Sequence, residues 1–436
     1  MSLVNRVTLS LVAAGAFTLG LAPPDKAVAG GFYLQEQSVK GLGRAYSGEA
    51  ADVGPESLWW NPASIAEVQG TEVYAGANWV ISDSSVTDQG SVIQRPGQPP
   101  SPVGGVSPSF NPLQAGIVPN LDAAWRVNQH LSLGLAVSAP FDFTTRYDTG
   151  SFARYQALTT KLFDADLQPT IALHVNRYLD IGAGFDAQYA QATLSSALPN
   201  LSPLLPDAFN QLRGSGWNFG WTVGAQLHPT ERLSIGGSYR SQIDHELEGA
   251  ALVEGLLGPL AGQNGVLAAS ARFSTPWIAV VGARYSLNDH WTLNAQVQRV
   301  GWSVFDAIRI QSPAGPTVIP QGYHDTTTGA VGVDYTLGPK LTLRAGVAYD
   351  PTPTPDIGRS TRVPDGNRWL FTIGGSMRPS SKLELDAAFA YVDLQRARID
   401  SDATAFGGTP VVTPIAYNAV ARGDALILSG GAKYKF

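Results

Sequence analysis

The sequence predicts an all-β fold: a transmembrane, antiparallel, up-and-down barrel of about fourteen strands. Three observations predict it. Apolar and polar residues alternate with period two over most of the chain, as on a wall with one apolar and one polar face. Short and long connections alternate between those stretches. No apolar run after the first thirty residues approaches the roughly 18 residues of a spanning helix, although 44% of the chain is hydrophobic and only 15% charged.

The chain begins with a predicted signal peptide, residues 1–29: Arg6, an apolar stretch from Val7 to Ala22, and the small-x-small triplet Ala27-Val28-Ala29. A retained anchor is disfavoured, because Pro23-Pro24-Asp25-Lys26 breaks the apolar run just before that triplet. Residues 30–70 lack strand alternation, and the barrel is assigned to 71–436. Strands are expected near 71–83, 115–127, 130–143, 166–176, 178–195, 216–228, 232–247, 268–286, 291–310, 325–337, 341–350, 368–377, 382–399 and 424–436. In one of them Trp217, Phe219, Trp221, Val223 and Leu227 oppose Asn218, Gly220, Thr222, Gly224 and Gln226. In another, Leu341, Leu343, Ala345, Val347 and Tyr349 oppose Thr342, Arg344, Gly346 and Ala348. Short turns such as 128–130, 176–178, 228–231, 287–290, 337–340 and 378–382 alternate with long connections over 84–114, 144–165, 196–215, 249–267, 311–324, 351–367 and 401–423. That is the pattern of periplasmic turns and external loops, and an even strand count returns the C-terminus to the turn side.

Composition excludes several functions. With no cysteine there is no disulfide, thiolate nucleophile or thiolate metal site. The net charge of −6 gives no basis for nucleic-acid binding. Neither H-E-x-x-H nor G-x-S-x-G occurs, and no cofactor or metal is expected. His245 between Asp244 and Glu246 is the one local cluster that an outer-membrane hydrolase could use, and a solvated strand end is the favoured reading of it. A general porin is the third reading.

Gly41-Leu-Gly-Arg-Ala-Tyr-Ser-Gly48, Asn61-Pro-Ala63, Trp217-Asn-Phe-Gly-Trp221, Ser238-Tyr-Arg-Ser241, Leu343-Arg-Ala-Gly-Val-Ala-Tyr-Asp350 and the aromatic C-terminus stand in an order and spacing that resemble the FadL-type outer-membrane transporters of fatty acids and hydrocarbons. The resemblance covers essentially the whole mature chain. It implies a fourteen-stranded barrel closed by an N-terminal hatch, residing in the outer membrane of a Gram-negative bacterium. Its partners would be a hydrophobic small molecule, outer-membrane lipid and lipopolysaccharide, and the assembly machinery reading Phe436; a monomer is expected. A hatch argues against an open porin.

Under that reading, capture of a hydrophobic solute needs apolar surface outside the membrane. Two long loops offer it: Leu201, Leu204, Leu205 and Phe209, and Leu252, Leu256, Leu257 and Leu260. Packing of these loops on each other is compatible with the same residues. Inside the lumen, Ser138, Phe141, Gln191, Arg240, Arg344 and Asp350 are the candidate ligand contacts. An arginine there would grip a carboxylate, or it would brace the wall against Asp and Glu neighbours such as Glu384 and Asp386. Gln191 stands where fatty-acid members of the family carry a basic residue, which leaves room for uncharged substrates. Pro140 cannot donate to a ladder, so with Asp142 it marks a kink in the third strand, or else lies just beyond the ladder. Asn61, Pro62 and Ala63 of the hatch are expected to form the inner wall of that opening.

Overall fold

The structure, a computed structural model, describes residues 31–436; the expected signal peptide lies outside the described residues. Fourteen strands form the wall: β1 (Thr71–Asp88), β2 (Gly116–Arg126), β3 (Leu131–Ser138), β4 (Thr159–Asn176), β5 (Leu179–Leu198), β6 (Ala208–Thr230), β7 (Leu233–Arg240, resuming as Ile243–Glu254), β8 (Gly265–Thr275, resuming as Trp277–Ser286), β9 (Trp291–Gly301), β10 (Thr326–Leu337), β11 (Leu341–Asp350), β12 (Arg368–Met377), β13 (Leu383–Ala405) and β14 (Thr413–Lys435). Each pairs antiparallel with the next, and β14 pairs with β1 from Glu72↔Lys435 to Asp88↔Ala419, which closes the barrel. The predicted strand order holds throughout.

Strand lengths differ from the sequence expectation on the external side. β4 begins at Thr159, β5 runs to Leu198, β6 begins at Ala208 and β14 at Thr413, so much of what reads as loop is paired ladder. Beyond the membrane both faces meet water or packed loops, and period-two hydropathy fades although backbone pairing continues.

The outward face is the apolar one. Trp217, Phe219, Trp221, Val223 and Leu227 are exposed, while Thr222 and Gln226 point inward and are buried. Aromatic rings gather at two levels, as barrels do at the membrane interfaces. Trp221, Tyr239 and Trp277 line up across β6, β7 and β8 with centroids 5.5 and 6.0 Å apart. Near the short turns Trp291 packs on Tyr335 at 4.4 Å and Tyr434 on Phe436 at 4.9 Å.

The N-terminal segment lies in the lumen. It contains one short helix, α1 (Val39–Leu42), and three 3-10 turns at Glu49–Ala51, Pro55–Ser57 and Pro62–Ile65. Ser38 caps α1 by accepting from the Gly41 N–H at 3.0 Å, and Asn61 caps the last turn by accepting from Ala63 N–H at 2.9 Å. Nearly all of its residues are buried, against β5 and β6 on one side, β7 and β8 on another, β12 and β13 on a third. Two inward-facing strand positions show how closely the walls approach it. A Cβ at Gly236 would lie 1.8 Å from the Ala50 carbonyl oxygen, and one at Gly346 would lie 2.3 Å from the Arg44 carbonyl. Only glycine fits there.

Buried charge ties segment to wall. Arg44 donates to Glu49 at 2.5 Å and to Asp52 at 2.6 Å, and reaches Asp334 of β10 at 3.5 Å. Arg284 of β8 bridges Asp334 and Asp52 at 2.9 and 3.4 Å. Lys40 joins Asp52 to Glu56, and Lys433 of β14 donates to Glu56 at 2.8 Å. Burial opposes ionisation of Glu56, but Lys433 and Lys40 outweigh it and hold the carboxyl down to about 2. A depressed carboxyl contributes its stability above its ordinary value of 4.5 and loses it as pH falls through 2. The shift corresponds to on the order of 3 kcal/mol. Glu56→Gln is therefore expected to lose heat-modifiable gel mobility at a lower temperature than the parent at pH 7, with the gap closing as pH approaches 2. A gap independent of pH would mean that the ion pairs do not hold the segment.

Candidate hydrophobic-ligand site

The third strand leaves the wall and returns to it. β3 pairs with β4 as far as Ser138↔Asp166, and pairing resumes only at Phe143↔Leu162. On its other side, β3 pairs with β2 up to Val137↔Leu121, and the two chains next meet at the Leu113–Thr145 bridge. Between those contacts residues 116–120 of β2 have no β3 partner, which leaves a window in the wall. The proline thus sits within the ladder, at a kink, and not in the loop beyond it.

The backbone groups freed at the kink are taken up from inside. Leu34 N–H donates to the Pro140 carbonyl at 2.8 Å, and Tyr33 forms an antiparallel bridge with Phe141. The Gln37 amide donates to the Ala139 carbonyl at 3.0 Å and accepts from the Ala139 N–H at 3.3 Å. Tyr33 is itself fixed, its hydroxyl accepting from Gln298 of β9 at 2.7 Å. The inner wall of the window is therefore Tyr33, Leu34 and Gln37, where the sequence reading placed Asn61, Pro62 and Ala63. Those three lie against β5 and β6: Asn61 donates to the Ala225 carbonyl at 3.0 Å, and Pro62 covers Gly182. A motif shows which residues cluster in sequence, not which strand they will face.

An apolar cavity opens beside the kink. Phe32, Phe143, Leu162, Leu194, Leu212, Leu247, Phe273, Phe305 and Ile308 line it, and it holds about 750 Å³ of empty space including its mouth. Phe32 forms its floor, edge-to-face with Trp302 at 4.8 Å, Phe305 at 4.9 Å and Phe141 at 6.0 Å. The same ring thus touches both the cavity and the kink.

Three cations line this otherwise apolar space: Lys161 of β4, Arg213 of β6 and, from the 351–367 connection, Arg362. The Arg362 guanidinium donates to neutral acceptors, the Thr160 hydroxyl at 3.2 Å and the Ser195 carbonyl at 3.4 Å. Among the described residues no carboxylate lies within ion-pair distance of it. Burial pushes the group down to about 10, so it remains charged at neutral pH. An uncompensated guanidinium in an apolar cavity is a strong hydrogen-bond donor to a carboxylate. Sequence reasoning missed it, because the connection has no periodicity from which to infer where Arg362 points.

The predicted lumen residues divide. Arg240, Arg344 and Asp350 face inward as their strand phase requires, but each is engaged. Arg240 donates to Asp166 at 3.0 Å, to Gln168 at 2.6 Å and to the Trp59 carbonyl at 3.1 Å, contacts Asp186 as well, and lies over the Trp59 ring at 4.8 Å. Arg344 donates to Ser376 at 2.5 Å, and Ser376 donates to Asp386. Asp350 accepts from Arg368 at 2.6 Å and from Thr328 at 2.5 Å. Glu384 pairs with Arg378 at 2.6 Å. Gln191 falls on the outward phase of β5, with its neighbour Ala192 lining the cavity. Ser138 ends the regular part of β3, and Phe141 and Asp142 are buried at the kink. His245 is buried between Asn218 at 3.2 Å and Thr275 at 3.3 Å and stacks on Phe273, while Asp244 and Glu246 point away from it.

Outside, the two leucine-rich loops pack together. Leu256 and Leu260 are buried with Ala208, and Leu201 and Val253 lie against them. Asn200 stitches the loops, donating to the Pro206 and Gly255 carbonyls at 2.7 and 3.1 Å and accepting from Leu257 N–H at 3.0 Å. Leu204 (93% exposed), Leu205 and Leu257 remain open to solvent, whereas Phe209 and Leu252 are half-buried.

Comparison with known proteins agrees with this architecture. The long-chain fatty acid transport protein of Escherichia coli O6:H1 is 25% identical over 403 residues, covering 84% of this chain and 88% of that one. The crystal structure of a Pseudomonas aeruginosa FadL homologue superposes with a TM-score of 0.81 at 23% identity, covering 93% of this chain and 100% of that one. The Ralstonia pickettii toluene transporter TbuX has a TM-score of 0.65 at 18% identity, covering 91% and 98%. The family described as outer membrane protein transport protein (OMPP1/FadL/TodX) matches residues 22–436. With a closed barrel, an apolar outer face and that match over nearly its full length, this chain belongs to the OMPP1/FadL/TodX family of outer membrane transport proteins.

Proposed function

We propose that this protein moves hydrophobic molecules, long-chain fatty acids foremost, across the outer membrane by facilitated diffusion, and that it is a transporter rather than an enzyme. The observation that carries the reading is the apolar cavity with Arg362 on its wall and Phe32 and Phe143 between it and the kink. A fatty acid is an apolar chain with one carboxylate, and the cavity offers apolar lining and, in Arg362, a cation with no carboxylate partner among the described residues. Leu204, Leu205 and Leu257 make the first, weak contact from the lipopolysaccharide side. The carboxylate then meets Arg362 and the chain lies along the phenylalanines. Two names among the relatives, a long-chain fatty acid transport protein and a toluene transporter, support this range of substrates. The N-terminal segment acts as the hatch across the lumen. The exposed Phe436, directly after β14, is suited to act as an assembly signal, and the protein works as a monomer in the lipid of the outer membrane.

Release is lateral. A long acyl chain entering the aqueous periplasm gives up about 0.8 kcal/mol for each CH₂ exposed. Leaving through the window between β2 and β3 keeps it in apolar surroundings. The window is the place where the ladder is already open, so no further wall hydrogen bonds need to break in lipid. Movement of Phe32 and Tyr33 away from Phe141 would join cavity and bilayer.

Two experiments test the reading. Arg362→Ala is expected to weaken binding of a long-chain fatty acid by about 1.5–3 kcal/mol while sparing an alkane of equal length. Arg240→Ala, by contrast, strands Asp166 and Asp186 and should lower thermal stability by about 3–5 kcal/mol and impair both ligands alike. Equal loss of both ligands on Arg362→Ala would remove it as the carboxylate anchor. For the exit, the pair Tyr33→Cys and Phe141→Cys, placed opposite each other in this cysteine-free chain, should lock hatch to kink. Uptake by whole cells should stop on oxidation and recover on reduction; full uptake with the crosslink formed would return the argument to an axial path.

A further inference from the structure

At the short-turn end of the barrel, four side chains from four parts of the chain converge. His174 Nδ1 lies 2.7 Å from Asp180 Oδ1 and 3.6 Å from Glu67 Oε1. The other oxygen of Asp180 contacts His228 Nε2 at 3.1 Å, and His228 Nδ1 contacts the Ser234 hydroxyl at 3.1 Å. His174 is near the end of β4, Asp180 near the start of β5 and His228 near the end of β6, while Glu67 belongs to the tail of the N-terminal segment. Both histidines sit at register shifts, between His174 and Asn176 and between Leu227 and Thr230. Such bulges re-aim side chains.

We propose that Glu67, His174 and Asp180 form a site for a divalent ion of the zinc type. Their donor atoms all lie within 4.8 Å of one another. Ligands bound at about 2.0–2.2 Å in a tetrahedron stand roughly 3.3–3.5 Å apart. The 3.6 Å separation already matches, and the 2.7 Å one opens to fit when a metal ion takes the place of the His174–Asp180 hydrogen bond. One imidazole nitrogen and two carboxylate oxygens suit zinc, whereas calcium and magnesium call for an all-oxygen shell. His228 holds Asp180 in place from outside the ligand set, and Ser234 fixes the ring of His228, the arrangement that orients ligating carboxylates elsewhere. Asp180 is buried, but the Glu67 side chain is 43% exposed and His174 22%, so an ion reaches the site from the periplasm and the fourth position is open to water.

Ser234, His228 and Asp180 also make a serine–histidine–carboxylate chain. Hydrolysis would need free N–H donors for an oxyanion, and Ser234 lies in a strand paired on both sides, with Gly224–Leu227 of β6 nearby and with Arg284 of β8 opposite it. Ion binding uses all the groups present without that missing part. Its structural effect is specific: Glu67 is the last acidic residue before β1, so a bound ion would pin the tail of the N-terminal segment to the wall at β4 and β5. This inference is independent of the proposed substrate.

The test is calorimetric titration of the full chain in detergent with zinc chloride, after chelator treatment. One ion per chain is expected. His174→Ala should abolish that binding, and His228→Ala should weaken it by about 10–100-fold. His290→Ala, in another short turn, should leave it unchanged. Heat-modifiable gel mobility checks that each variant is folded. Zinc-edge X-ray absorption of the parent gives a readout that needs no variant, and should show a light-atom N/O shell with one imidazole. No stoichiometric binding, binding unchanged in a folded His174→Ala variant, or a spectrum without imidazole would overturn the site and leave a hydrogen-bonded brace.

Discussion

In a wall surrounded by lipid, every backbone N–H and C=O must have a partner within the protein, and the rest of this structure depends on that requirement. Most strand neighbours meet it with ladders running across the membrane. From Ala139 to Asp142 the third strand leaves the ladders to both β2 and β4, and the N-terminal segment supplies partners there through Leu34 and Gln37. Barrel and segment are consequently one folding problem. A wall with this window would be costly without the segment, and a segment this short in regular structure would have no reason to hold its shape without the wall.

Charge placement follows the same logic with the opposite outcome in two regions. Around Arg44, Lys40 and Arg284, buried cations are matched by Glu49, Asp52, Glu56 and Asp334, and the network fixes the segment's position. Breaking such a pair costs several kcal/mol because a charge is left buried and unmatched. Arg362 is held by neutral acceptors alone among the described residues. The first arrangement is what a brace requires, and the second is what a site for an arriving anion requires. The distinction between bracing and binding arginines, which strand phase left open, therefore rests on what surrounds each guanidinium.

In the external loops one set of leucines divides between packing and exposure. Leu256 and Leu260 turn inward and give the loops a core, and Asn200 ties the two loops by their backbones. With that core in place Leu204, Leu205 and Leu257 can be held out to solvent without collapsing onto it. Hydropathy along the chain marked all of these leucines alike, because burial within a loop depends on the loop's partner.

By itself the sequence determined the barrel, the strand order and the inward or outward face of most strand residues, and it marked Pro140 as a kink in the third strand or a residue just beyond the ladder. Each of these follows from local chemistry: period-two hydropathy sets the face of every residue, and a proline lacks the donor a ladder needs. Only the tertiary structure decided that Tyr33 to Gln37 stand behind Pro140 while Asn61 to Ala63 stand behind β5 and β6. The same holds for the pairing of Arg240 with Asp166 and Asp186, for the placement of Arg362 in an apolar cavity, and for the meeting of Glu67, His174 and Asp180. The physical reason is distance along the chain. Alternation fixes the side of the wall a residue occupies, but closure of the sheet and the path of an aperiodic segment fix its neighbours, and binding chemistry is made by neighbours.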